Sequence, residues 1–247
     1  MFGFQSQLIF PTHAVPKAGP WPKRAERLSL IAGDGSELAG IRIPPDRSNA
    51  HSTLILGFGG NAWNGQDVAE YLHELFPDEE VVAFHYRGYA PSEGSASADA
   101  LIDDAPLVYD LAVDLVRPNS VVAIGFSIGS GIAAELATKR ELDGLILVTP
   151  FDSLKSVAQS MFPWLPIGPF FEHEIDATAA IEKVDAPVAI IGAERDEIVP
   201  GERTDALRKR APNLIYDRMI ERAGHNTIYG KSDFHDAMHE AFDRLKV

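Results

Sequence analysis

The chain has 247 residues, 45% hydrophobic and 23% charged, with a formal net charge of −14. That balance suits one globular domain with a sizeable core, and so negative a surface repels phosphate backbones and anionic lipid, which excludes nucleic acid as an expected partner. There is no cysteine, so disulfides, thiolate metal sites and a cysteine nucleophile are ruled out.

The first residues, MFGFQSQLIFPTH, combine no basic segment with a long apolar one, so no signal peptide is expected. No stretch reaches the roughly 18 apolar residues that cross a bilayer. The expectations are a cytoplasmic location and no stable membrane insertion. Residues 1–27 hold Pro11, Pro16, Pro20 and Pro22. Prolines at this density disfavour a helix, so an extended arm is predicted, packed on the body through Phe2, Phe4, Leu8, Ile9 and Phe10.

LSLIAG at 28–33 and ELAGIRI at 37–43 flank Asp34-Gly35, a strong hairpin signal. Short continuous apolar runs follow: TLILG at 53–57, VVAFH at 81–85, VVAIG at 121–125, GLILV at 144–148 and PVAII at 187–191, then LIYDRMI at 214–220. Runs of this kind are expected of parallel strands buried on both faces. Helices are predicted near 66–75, over 98–116 with Leu101, Ala105, Val108, Ala112 and Leu115 on one face, from the end of VVAIG to about Thr138, and from about Ser232 onward. An antiparallel start followed by alternating strands and helices predicts an α/β domain: a mostly parallel eight-stranded sheet with helices on both faces. Such sheets hold ligands beyond the carboxyl ends of their strands.

Gly125-Phe126-Ser127-Ile128-Gly129 is a G-x-S-x-G motif set between the run VVAIG and the helical IGSGIAAELATK. A sharp strand-to-helix turn there lifts the serine hydroxyl above the sheet, and the helix N-terminus offers backbone N–H groups to a developing oxyanion. A serine hydroxyl needs a base. His225, in Ala223-Gly224-His225-Asn226 after the final strand, is the candidate. A carboxylate must then orient the imidazole. Asp196, beyond PVAII, is preferred, with Glu194 and Glu197 close by and Asp152, beyond GLILV, as the alternative. The order Ser127, Asp196, His225 suits this architecture.

The GFSIG motif, YRGYAPSEG at 86–94, IGAERDEIVP around Asp196 and AGHN at 223–226 together resemble the small α/β-hydrolases of the serine-aminopeptidase-like branch, which includes acyl-protein thioesterase-like and monoacylglycerol lipase-like members. The resemblance runs from about Leu28 to the C-terminus. It implies the fold and a serine hydrolase but no particular substrate; the reading adopted is a Ser-His-Asp esterase acting on a small-molecule acyl substrate of short or medium length, with no cofactor and no metal. It also implies backbone oxyanion donors at Asn61 and Ile128, with Gly60 as the fallback. One departure stands out: Gly59 occupies the place of the histidine that usually follows the first strand, and losing that side chain is expected to loosen the loop. Arg87 is read as a structural ion-pair residue beneath the site. Peptide, thioester or lactone cleavage on the same residues, and a non-catalytic receptor using the same pocket, are the competing readings.

Residues 152–182 do not extend the strand pattern and are predicted to form a small cap. Met161, Phe162 and Trp164 there, with Trp63 opposite and Phe126 in the elbow, are the candidate substrate wall. Other motifs carry less. Gly57 to Ala62 fits a dinucleotide fingerprint, but the next strand ends in His85-Tyr86-Arg87 rather than an acid. Gly60 to Gly65 has P-loop spacing, but Gln66 stands where lysine is needed. His235 and His239 are one helical turn apart without an evident third ligand, and they and His173 are read as solvated.

Overall fold

A computed structural model of the protein describes residues 6, 9–47, 52–162 and 171–245. Eight strands form one sheet: β1 (Glu26–Ile31), β2 (Glu37–Ile43), β3 (Thr53–Phe58), β4 (Glu80–Phe84), β5 (Ser120–Phe126), β6 (Gly144–Val148), β7 (Val188–Ala193) and β8 (Leu214–Ile220), in the order β1-β2-β4-β3-β5-β6-β7-β8. The β1–β2 and β2–β4 pairs are antiparallel and all later pairs parallel. Each strand lies on an apolar run expected to form one. β3, β4, β6 and β7 are buried at every residue, because helices cover both faces.

Those helices are α1 (Gly65–Leu75), α2 (Ala98–Val116), α3 (Ile128–Ala137), α4 (Leu154–Met161), α5 (Ala177–Ile181), α6 (Gly201–Arg208) and α7 (Ser232–Leu245). Alternation along the strands divides the core. Leu54, Leu56, Ala123, Leu145 and Leu147 face α2, α3 and α5, where Leu101, Ala105, Ile132 and Leu136 pack. Ile55, Val122, Ile124 and Ile146 face α1 and α7, where Leu72, Met238 and Phe242 pack. Leu115, in the last turn of α2, departs from the expected face and is 45% exposed.

Two elements differ from expectation. The N-terminal arm is not wholly extended: the Phe10 amide bonds the Ser6 carbonyl at 2.7 Å, and Thr12–Ala14 form a 3-10 turn. Pro11 tolerates this because it precedes that turn, where no intrahelical donor is required of it. The arm is held down by α1. Gln66 Nε2 donates to the carbonyls of Gly19 (3.1 Å) and Pro20 (3.2 Å), and Ile9 and Phe10 are buried. Helix α6, GERTDALR, has no apolar stripe to announce it, and buries only Thr204 and Leu207. Phe2, Phe4, Leu8, Trp164 and Phe170 lie outside the described residues.

Arg87 forms a structural ion pair. Its guanidinium spans both oxygens of Asp104 on α2 and reaches Asp34 Oδ2 in the hairpin turn at 2.8 Å, joining β4's exit to two other elements. His85 beside it accepts a hydrogen bond at Nδ1 from the Gly65 amide at 3.3 Å.

Burial lowers the His85 pKa from 6.5 to about 4. Between those values the unfolded chain binds a proton that the folded chain refuses. The contribution of this side chain is therefore complete above pH 6.5 and is lost as the pH falls towards 4, by up to about 3 kcal/mol. The urea midpoint is expected to drop over that window in the wild type, and to drop measurably less in His85→Gln.

Candidate active site

Ser127 follows β5 and immediately precedes α3, with φ 51° and ψ −116°, a conformation that costs an L-residue energy and persists only when its surroundings enforce it. The enforcing contacts are visible. A Cβ at Gly129 would strike the Phe58 carbonyl, and one at Gly125 would strike the Gly129 carbonyl, so both positions need glycine for β3, β5 and α3 to meet. The Ser127 amide donates to the Val148 carbonyl at 2.9 Å. The turn thus presents the hydroxyl at the carboxyl edge of the sheet.

The loop after β8 brings His225 to this point. Its Nε2 lies 2.9 Å from Ser127 Oγ, and its Nδ1 lies 2.8 Å and 3.0 Å from the two oxygens of Asp196. Asp196 Oδ1 also accepts from the amides of Ile198 (2.9 Å) and Val199 (2.7 Å). A carboxylate held by amide donors accepts the ring proton on Nδ1, which leaves Nε2 free to accept from the serine. The His225 and Asp196 side chains are 6% and 4% exposed. The other acids are engaged elsewhere: Glu197 accepts from the His225 amide, Glu194 from the Arg222 amide, and Asp152 pairs with Arg203 at 2.9 Å.

Gly60, Asn61 and Ile128 border the same cavity as Ser127. Ile128 is the first residue of α3, so its amide has no partner within the helix. The loop after β3 is not loose despite the missing histidine. Tyr86 Oη donates to the Gly59 carbonyl (2.8 Å), and Tyr89 Oη to Asn61 Oδ1 (2.7 Å). Asn61 Nδ2 donates to the Ile9 carbonyl in the arm (2.6 Å). A Cβ at Gly59 would come within 2.7 Å of a Val68 methyl, so a side chain there requires Val68 to shift.

The cavity has a volume of about 580 Å³, within the usual span for small-molecule sites. Trp63, Met161 and Phe162 line it as expected. Phe126 does not: it is fully buried and sits behind Trp63, ring centroids 5.2 Å apart. Strand alternation puts it, like Val122 and Ile124, on the α1–α7 side. Residues not anticipated complete the walls: Ile9, Tyr71, Leu154, Val157 and Tyr229 among them. Tyr229 follows His225 in one loop and Tyr71 lies on the helix after Trp63, proximity that the sequence carried. Burial raises the pKa of both tyrosines, which keeps the phenols protonated, and Tyr71 Oη donates to the Tyr229 carbonyl at 3.2 Å.

The other histidines singled out in the sequence are engaged elsewhere. His235 Nε2 bonds the Tyr229 carbonyl at 2.8 Å, and His239 packs on Phe76. His173 is buried rather than solvated: it shares a 2.8 Å hydrogen bond with Ser6 and meets the Phe10 ring edge-on, because the folded arm covers it. Among the described residues no group of three or more His, Cys, Asp or Glu side chains has the arrangement of a metal site, and no helix is long and apolar enough to cross a membrane.

No family model matches the chain. Over 233 residues it is 30% identical to the uncharacterized protein Rv2307c of Mycobacterium tuberculosis, spanning 90% of this chain and 80% of that one. It is 28% identical over 172 residues to the lysophosphatidylserine lipase ABHD12 of Danio rerio, spanning 62% of this chain and 45% of that one. Among solved structures, an α/β hydrolase from Vibrio vulnificus matches with a TM-score of 0.75 at 15% identity, over 98% of this chain and 91% of that one. An esterase from Pyrococcus furiosus matches at 0.74 and 18% identity, over 94% and 96%. The chain has the α/β-hydrolase fold. It belongs to one family with Rv2307c, 80% of whose length the match covers.

Gly129→Ala drives a methyl group into the Phe58 carbonyl. It is expected to cost about 2 kcal/mol of stability, read as a lowered urea midpoint at unchanged slope.

Proposed function

We propose that the chain is a serine hydrolase that cleaves carboxylic esters through an acyl-enzyme. The observation that carries this reading is the unbroken hydrogen-bond line Ser127–His225–Asp196 at the wall of an apolar cavity. Ser127 Oγ attacks the ester carbonyl carbon while His225 Nε2 takes its proton. Asp196 holds the imidazole in its tautomer and stabilises the imidazolium. The carbonyl oxygen, now negative, rests on the backbone amides of Ile128 and Asn61, each worth roughly 3 kcal/mol in the transition state. The imidazolium then protonates the leaving alcohol, and a water activated by the same ring releases the acyl group. These steps use only side chains, backbone and water. The Danio rerio relative is by name a lipase and the Pyrococcus furiosus neighbour an esterase, in keeping with ester chemistry. A cytoplasmic location fits the absence of cysteine.

Ser127→Ala is expected to lower kcat on a p-nitrophenyl ester by about 10³-fold or more, and a fluorophosphonate is expected to label wild-type Ser127 alone. Full activity in the alanine variant defeats the reading. Parallel rates on a thioester and an amino-acid amide decide the bond type.

Tyr89→Phe, which removes the hydroxyl steadying Asn61, is expected to lower kcat by about tenfold with KM little changed.

A further inference from the structure

Among the described residues, none of those bordering the cavity is a lysine, arginine, aspartate or glutamate, and Asp196 is buried behind the His225 ring. The sequence reinforces this. Residues 1–16 and residues 156–171 contain no charged side chain, in a chain that is 23% charged. Ile9, from the first run, and Val157, Ala158, Met161 and Phe162, from the second, all line the cavity. Its polar groups are already committed in part, with the Tyr71 hydroxyl donating to the Tyr229 carbonyl. An anionic group entering here finds no cation to pair with, meets Asp196 behind the imidazole, and approaches a protein of net charge −14. An alkyl chain finds the opposite, walls of leucine, valine, methionine and aromatic rings.

Resting on the ester-hydrolase reading, we infer that the site takes uncharged esters of medium-length acyl chains and rejects acyl groups that bear a fixed negative charge. Selection is made by the charge-free walls contributed by α4 and the arm. A cavity of about 580 Å³ is of the size of small-molecule sites, the scale of a medium-chain acyl ester. Rejection arises because a carboxylate at the chain end must either lose its hydration without compensation or keep the chain from seating.

The test compares three p-nitrophenyl esters of one chain length: the octanoate, the half-ester of octanedioic acid, and that half-ester with its free carboxyl methylated. The half-ester is expected to show kcat/KM about 100-fold or more below the octanoate, and the methylated compound to fall within about tenfold of it, which assigns the loss to charge rather than bulk. Half-ester and octanoate turned over within about threefold of each other overturns the inference. Binding to Ser127→Ala, read by quenching of tryptophan fluorescence, separates the two levels of the argument. If that variant binds the octanoate and not the half-ester while the wild type hydrolyses neither, the hydrolase reading fails and the charge selection stands. If the wild type hydrolyses both alike, the hydrolase reading stands and the charge selection fails. Met161 lies at the cavity rim, 44% exposed, where a lysine keeps its ammonium hydrated. Met161→Lys is expected to raise the half-ester's kcat/KM relative to the octanoate by about tenfold. An unchanged ratio in a variant that a fluorophosphonate still labels also counts against the inference.

Discussion

Every part of the site is arranged around a single backbone dihedral, the φ of 51° at Ser127. That conformation is held by the close approach of α3 to the ends of β3 and β5, which two glycines allow. It aims the hydroxyl out of the sheet rather than along it. The same turn places Ile128, the first residue of α3, whose amide has no partner within the helix, at the cavity wall. Because β3, β5 and β6 are pinned by neighbours on both sides, relaxation of the turn would have to disturb the core, and the strain is carried without local softness. His225 and Asp196 then need only arrive at the same edge, which the parallel arrangement of β7 and β8 ensures.

The loop after β3 shows a different solution to a positioning problem. A histidine side chain is absent there, and a Cβ at Gly59 would crowd the Val68 side chain. Two phenols from the segment after β4 take up the backbone carbonyl of Gly59 and the side chain of Asn61 instead. Ala62, at φ 58°, sits in the left-handed region and donates its amide to Asn61 Oδ1. The loop is fixed by hydrogen bonds from outside itself, and its order depends on the β4 exit, which in turn depends on the Arg87–Asp104 pair.

The sheet was legible because buried parallel strands leave continuous apolar runs, and the meeting of Ser127, His225 and Asp196 because these three residues sit in short loops at one edge of that sheet. Phe126 was misread for want of one further step: residues 122, 124 and 126 share a strand face, and that face looks away from the cavity. The turn in the arm was obscured by its prolines, which forbid helix interiors but not helix starts. Helix α6 had no periodic apolar face to read. His173 was assigned to solvent from its acidic neighbours Glu172 and Glu174, and nothing local in the sequence shows that the arm, far away along the chain, lies over it. Tertiary covering of this kind is written in no window of residues.

The hydrogen bond between Asn61 and the Ile9 carbonyl makes the arm part of the chamber wall rather than a wrapping around it. Ile9 precedes the sheet in sequence, and its buried side chain lines the cavity. The molecule therefore has a place where the shape of its chamber can be remodelled, by evolution or by a protein engineer, while the elbow and its partners stay as they are.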